Sequence, residues 1–275
     1  MASLQGSQMK VTGKIASTTT LVTLGLVQSL SGQASTNASE EKGIGGYVRN
    51  RLTNYDYNVS VGGLVTDYNT LNLAAISTGT SSNAGLPPVL TLYLHDLTLN
   101  SARIGNITIS GGADAPLEYS MDGKFLSMTT GETPSATVPT PGTFFVFSDG
   151  TIHWGTESDT ITGFSITKSQ DISLVYGSGS MDPTEMQIAT AAYEGQFVLS
   201  ASAMGKIASG AWDPAAATID FHVTFVDPTS ASRIVNIKGE HAAINDASGS
   251  VDPDSALEVT QSFKFETLTI TNTTA

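Results

Sequence analysis

The second half of this 275-residue chain echoes the first. Leu117-Glu118-Tyr119-Ser120-Met121-Asp122-Gly123-Lys124-Phe125 returns as Leu257-Glu258-Val259-Thr260-Gln261-Ser262-Phe263-Lys264-Phe265, at an offset of 140 residues. Tyr55-Asp56, ahead of Val59 and Val61, matches Tyr193-Glu194, ahead of Phe197 and Leu199, at an offset of 138. Two anchors at nearly one spacing predict one β-rich unit used twice. A doubled module suits symmetry and assembly better than it suits a single catalytic pocket.

Composition agrees with strands joined by tight turns. Only 13% of the residues are charged, against about 25% in an average protein. Ser, Thr, Gly, Ala and Asn take their place, which disfavours long helices. The formal net charge is -13. A preformed phosphate-binding groove needs clustered Lys and Arg, whereas Arg49 and Arg51 form the one close arginine pair here. An acidic surface also fits a mildly halophilic source. With no cysteine, disulfides, thiolate metal sites and cysteine nucleophiles are excluded. No apolar run approaches the length of about 20 residues that spans a bilayer, and Met1 to Lys14 lacks the order of a signal peptide. The expectation is a protein made in the cytoplasm without a membrane partner.

The fold class expected is mainly β, with two tandem antiparallel β-sandwich or barrel-like units, each with at most one short helix. The predicted organisation is a flexible arm at 1–10, a first β domain at 11–128, a Pro/Thr linker at 129–142 and a second β domain at 143–275. Residues 34–54 read as a long polar loop, because Gly43, Gly45 and Gly46 oppose a helix. Asp67 caps a predicted short helix over 67–76, with Leu71, Ala74 and Ala75 buried. Asp149-Gly150 predicts a hairpin turn between Phe144–Phe147 and Ile152–Trp154. Asp182-Pro183 predicts a helical turn within 181–192. The clearest strand is 218–226, with Ile219, Phe221, Val223 and Phe225 on one face and Asp220, His222 and Thr224 on the other.

Catalytic patterns are missing. None of His95, His153, His222 and His241 has a second histidine at metal-ligand spacing. His95 and Asp96, as adjacent strand residues, point to opposite faces and cannot act as a pair. The glycine-rich runs 43–46 and 177–180 lack the features of a phosphate loop. Asp246, Asp252 and Asp254 lack EF-hand spacing, and Pro253 makes a turn sufficient. Neither a catalytic residue, a cofactor nor a metal is expected, and a binding or structural role is favoured over an enzyme.

Three stretches carry a resemblance. They are Gly25-Leu26-Val27-Gln28-Ser29-Leu30-Ser31, the polar segment Ser35 to Asn54 with Ser39-Glu40-Glu41-Lys42-Gly43, and Asn58-Val59-Ser60-Val61-Gly62-Gly63-Leu64-Val65. Together with Leu92-Tyr93-Leu94 and Asn106 to Ser110, they resemble the major tail (tail tube) proteins of long-tailed phages over residues 11–128. The second half joins only through the internal echo. The resemblance implies a virion protein that stacks in rings around a channel for DNA, with itself, tape measure and tail-terminus proteins as partners. Many such proteins carry one domain and form hexamers; a tandem pair implies three chains and six domains per ring. The polar segment would reach the adjacent ring, with Glu40, Glu41, Lys42, Tyr47, Arg49 and Arg51 as contacts. The alternatives are a two-module adhesin or tail-tip glycan-binding protein and, third, an esterase or lyase on a β scaffold. The second half could also be an outward decoration.

Overall fold

The computed structural model describes residues 11–15, 21–42, 48–74, 85–94, 97–113, 115–130, 143–155, 157–158, 161–200, 219–250 and 258–274. The first half comprises β1 (Val11–Ile15), β2 (Val22–Thr23), β3 (Leu26–Lys42), β4 (Val48–Leu64), α1 (Tyr68–Asn72), β5 (Leu90–Leu94), β6 (Leu97–Gly112), β7 (Glu118–Lys124) and β8 (Ser127–Thr130). The second comprises β9 (Gly150–Trp154), β10 (Glu157–Ser158), β11 (Ile161–Ser169), β12 (Ile172–Tyr176), β13 (Pro183–Ile188), β14 (Ala192–Ser200), β15 (Ile219–Asp227), β16 (Ser230–Ser250), β17 (Glu258–Phe265) and β18 (Thr267–Thr271). The chain is mainly β and antiparallel, as its composition and alternation predict.

Eight strands form a central sheet in the order β3-β4-β7-β6-β11-β14-β17-β16. A second layer covers one face: β2-β1-β5 with β8 on the first four strands, β10-β9-β15 with β18 on the last four. β6 and β16 belong to both layers. Each passes between them at a left-handed residue, Ser101 (φ 53) and His241 (φ 55). Such a φ is uncommon for a side chain other than glycine, and here it marks a bulge that re-aims the strand.

Strand registers repeat between the halves. Leu90 and Leu92 face Ala102 and Leu99 across one bulge; Ile219 and Phe221 face Ala242 and Gly239 across another. Ile104 and Asn106 face Gly123 and Asp122; Ile244 and Asp246 face Phe263 and Ser262. Leu99 faces Met128, and Gly239 faces Leu268. From 97 to 130 the first half thus matches 237 to 270 at the offset of the Leu-Glu echo. The Tyr anchor is corrected by one strand period: Asn58 faces Lys124 and Glu194 faces Lys264, so Tyr193 answers to Tyr57, not Tyr55. Tyr57 packs on Phe125 at 5.0 Å between ring centroids, and Tyr193 packs on Phe265 at 5.3 Å. A slip of two residues keeps every side chain on its face, so alternation alone does not detect it.

The cores beneath these registers differ in chemistry. The first is mostly aliphatic, with Val59, Val61, Leu92, Leu99, Ile107 and Met121 buried. The second is aromatic: Phe263 lies 4.7 Å from Phe197, 5.0 Å from Phe221 and 5.1 Å from Trp154 between centroids. Bulk is distributed differently within matched pairs: it changes sides in one and gathers on one side in the other. Val59 opposite Gly123 becomes Gly195 opposite Phe263, and Leu92 opposite Leu99 becomes Phe221 opposite Gly239. The glycines accept the rings; a Cβ on Gly195 would sit 2.2 Å from the Phe263 ring, and one on Gly239 2.0 Å from that of Phe221.

Several expectations change. Within the polar segment 34–54, residues 34–42 and 48–54 are not a loop but the outer parts of β3 and β4, paired as far as Lys42 opposite Val48. Cross-strand backbone bonds outweigh the poor strand propensity of its residues. Asp149-Gly150 makes no hairpin turn: the Asp149 carboxylate accepts from the Val146 amide at 3.3 Å and closes a 3-10 turn at 147–149, a local competition open to Asp. The hairpin instead joins β9 to β10 through Gly155 (φ 61). The predicted helical turn at 181–192 is β13, paired with β12 around Gly179 (φ 84). Asp67 does cap α1, accepting from the Asn69 amide at 2.7 Å, with Leu71 and Ala74 buried. Ala75, the arm 1–10, most of the linker at 131–142, and Asp252 and Asp254 lie outside the described residues.

The exchange of bulk sets a packing test. Gly195→Ala and Gly239→Ala should each destabilise by about 2 kcal/mol or more in urea unfolding, through overpacking against rigid rings. Gly112→Ala, whose Cβ would meet nothing nearer than 3.9 Å, should stay within about 0.5 kcal/mol.

Candidate assembly surface

The uncovered face of the central sheet is polar because each strand alternates. It carries Asn58 and Ser60 from β4, Glu118, Ser120 and Asp122 from β7, Asn106, Thr108 and Ser110 from β6, Ser165 and Thr167 from β11, and Glu194 and Gln196 from β14. One cross-strand row runs Gly62, Ser120, Thr108, Thr167, Glu194 and Lys264. Cations on this face are engaged. Lys124 reaches Asp56 at 2.9 Å and Asn58 at 3.0 Å, Lys264 lies 3.3 Å from Glu194, and Arg103 donates to the Pro87 carbonyl. Lys124 holds the Asp56 carboxyl below its ordinary range against the opposing effect of burial. Among the described residues the face therefore offers hydroxyls and carboxylates, with its cations paired.

The two halves meet along β6 and β11. Ser110 faces Ser165, Ile109 faces Ile166, Thr108 faces Thr167 and Ile107 faces Lys168. The Thr108 and Thr167 hydroxyls lie 3.1 Å apart and share a hydrogen bond. Lys168 bolts this junction from inside: only 1% exposed, it donates to the Ala74 carbonyl at 2.7 Å and to Ile104 at 3.3 Å. Desolvation with only carbonyls for company pushes its ammonium down to about 8. Arg233, on β16, makes a second tie. It pairs with Asp227, donates to the Thr66 carbonyl at 2.9 Å and to the Thr143 hydroxyl at 2.8 Å, and lies over the Phe145 ring. Phe145 itself donates to Val65 and accepts from Leu117.

The β12–β13 hairpin, whose strands pair only with each other, leans on β4. The Tyr57 hydroxyl donates to Asp182 at 2.6 Å, the Tyr176 hydroxyl donates to the Tyr55 carbonyl at 2.7 Å, and the Tyr55 amide donates to Met181. Burial and the Asp182 carboxylate push the Tyr57 phenol up to about 12.

The sheet ends in two open edges. Among the described residues, β3 pairs only with β4, and β16 beyond Ala242 pairs only with β17. Side chains from Ser31 to Ala34 are exposed. Edges of this length are a liability unless something covers them.

Of the residues expected to make contacts, Glu40, Glu41 and Lys42 fall at the far end of β3, and Arg49 and Arg51 on β4. Register brings Glu41 opposite Arg49 and Ser39 opposite Arg51. Tyr47 lies outside the described residues. Lys168 and Arg233 were not foreseen. Lys168 had a signal, since it continues the buried parity of Phe164 and Ile166. Arg233 had none.

Two of the histidines meet across strands. His153 faces His222, which faces Lys238; desolvation and the nearby ammonium hold His222 below its ordinary value. His241 lies 2.9 Å from Glu266, and His95 is outside the described residues. No group of three acidic or histidine side chains gathers at metal-binding distance among the described residues. The best-formed hollow, about 260 Å³, is lined by Phe147, Thr151, Ile152, His153, Ile161 and Phe225 and offers one ionisable side chain. No described helix is long and apolar enough to cross a membrane.

No protein-family model matches the sequence, and no curated protein matches it.

Lys168 makes stability depend on pH with a definite sign. Its folded-state value lies below the ordinary 10.5, so between these values the unfolded chain binds more protons and stability rises with pH. Unfolding free energy should rise by roughly 2 kcal/mol from pH 8 to 10. Lys168→Met should abolish that slope and leave stability at pH 7 unchanged or higher, because a buried charge becomes an apolar chain of similar length.

Proposed function

We propose that this protein is a structural virion subunit that assembles into stacked rings forming a tail tube. One observation carries the reading: the central sheet consists of two four-strand units joined edge to edge, with the corresponding edges open at both ends among the described residues. Such a subunit adds copies of itself by the same pairing that joins its halves. Heterologous contacts of this kind give a closed ring when the rotation closes. Three chains supply six units. Their combined strands, at about 4.8 Å each and tilted as in a barrel, enclose a bore on the order of 40 Å.

The uncovered polar face then lines the bore. Its carboxylates, hydroxyls and paired cations give double-stranded DNA no counter-charge to hold, so a genome passes without sticking. The β3–β4 hairpin arm, with Glu40, Glu41, Lys42, Arg49 and Arg51, projects beyond the paired body toward the next ring. Tape measure and tail-terminus proteins would complete the tail. This role needs no catalytic residue and no cofactor.

Concentrated protein should form rings or tubes near 10 nm wide in negative stain, an order-of-magnitude width for domains of this size. Mass photometry should find a species at three times the 28.5 kDa chain mass. A chain that stays monomeric at high concentration, or binds a glycan array without assembling, overturns the reading.

A further inference from the structure

The registers specify how one chain meets the next. Resting on the self-assembly reading above, we infer that Ser31–Ala34 of β3 pairs antiparallel with Ala247–Ser250 of β16 in a second copy of this chain, with Gln33 opposite Ser248. The β6–β11 junction is the template. β16 matches β6 at an offset of 140, fixed by the bulge that Ile104–Asn106 shares with Ile244–Asp246.

β3 matches β11 with equal definition. Val27 and Ser29 straddle a bulge opposite Gly63 and Gly62, as Ile161 and Gly163 do opposite Leu199 and Val198. Tyr57 faces Ala34, as Tyr193 faces Lys168. Replacing each strand of the junction by its counterpart turns Thr108 opposite Thr167 into Ser248 opposite Gln33. Ser110 opposite Ser165 becomes Ser250 opposite Ser31, and Ile109 opposite Ile166 becomes Gly249 opposite Gly32.

Three properties favour a second copy over another occupant. Strand direction is right, since the alternation along the eight strands makes β16 and an incoming β3 antiparallel. Hydrogen-bonding capacity is right, since each edge has one unpaired side among the described residues. Size is right, since Ser31, Gly32, Gln33 and Ala34 meet Ala247, Ser248, Gly249 and Ser250, and seven of these eight are Ser, Gly or Ala. The interior junction holds itself with Ile109, Ile166 and Lys168. The exterior one carries no such bulk to expose before assembly, which limits pairing with the wrong partner.

The chain has no cysteine, so cross-linking reads the register without background. Thr108→Cys with Thr167→Cys should close an intramolecular disulfide and calibrate the geometry, because directly opposed strand residues fall within bonding range. Gln33→Cys with Ser248→Cys, oxidised after assembly, should give a covalent ladder on non-reducing gels that ends at a closed trimer and collapses with reductant. Ser31→Cys with Ser250→Cys should do the same. Gln33→Cys with Ser250→Cys, slipped by two residues, should link about ten-fold less. If rings form but neither registered pair links, or the slipped pair links equally, this register is wrong while the tube reading stands. If none of the variants nor the parent protein assembles, the tube reading falls and takes this interface with it.

Discussion

Hydrogen bonding between β6 and β11 is the interaction on which the architecture rests. β6 begins in the covering layer with β5 and β8, turns at Ser101 and enters the central sheet, where it holds β7 on one side and β11 on the other. That pairing sets the register of the second half's sheet against the first. The buried ammonium of Lys168 sits at this seam, donating to Ala74 and Ile104 in the opposite half. A buried cation is a costly fastener, but it is directional: it is satisfied only when β11, β6 and the end of α1 are all in place. Arg233 adds a second condition at the other side of the junction, through Thr66, Thr143 and Asp227.

The face of the sheet follows from the same strands. Inward positions form one continuous core with the covering layers, so outward positions are left to short polar side chains. Burial and electrostatics are thus partitioned by parity alone. Its lysines are spent on neighbours within the sheet, Lys124 on Asp56 and Asn58 and Lys264 on Glu194. The exposed Lys264–Glu194 pair adds little stability; both pairs neutralise the lysines that the face carries among the described residues.

Much of this was legible in the sequence wherever alternation was strong. β15 reads directly from Phe221, Val223 and Phe225, and the Leu-Glu-to-Lys-Phe echo gives the offset that the registers repeat. What escaped has physical causes. The outer β3–β4 hairpin is built from residues of low strand propensity, so only its cross-strand bonds define it. The Tyr anchor slipped by two because parity is blind to such a shift. Asp149-Gly150 has the composition of a hairpin turn, but the Asp carboxylate satisfied the Val146 amide first. Local patterns cannot reveal a contact such as Arg233 with Thr66, which joins distant parts of the chain. Glu40, Glu41, Lys42, Arg49 and Arg51, expected as contacts, lie on paired strands although their polar composition predicts a loop.

The exchange of bulk between Val59–Gly123 and Gly195–Phe263 bears on how the halves could diverge. Neither strand of a matched pair can be transplanted singly: β7 in the place of β17 would set Gly123 against Gly195 and leave a hole where a phenyl ring stood. The reverse graft would place a Cβ at Gly123 only 2.1 Å from the Arg103 carbonyl oxygen of β6. Volume at such positions is therefore shared across the ladder: one residue of a facing pair is bulky where its partner is glycine. Position-by-position comparison counts each such exchange as two mismatches, although the two ladders share one geometry.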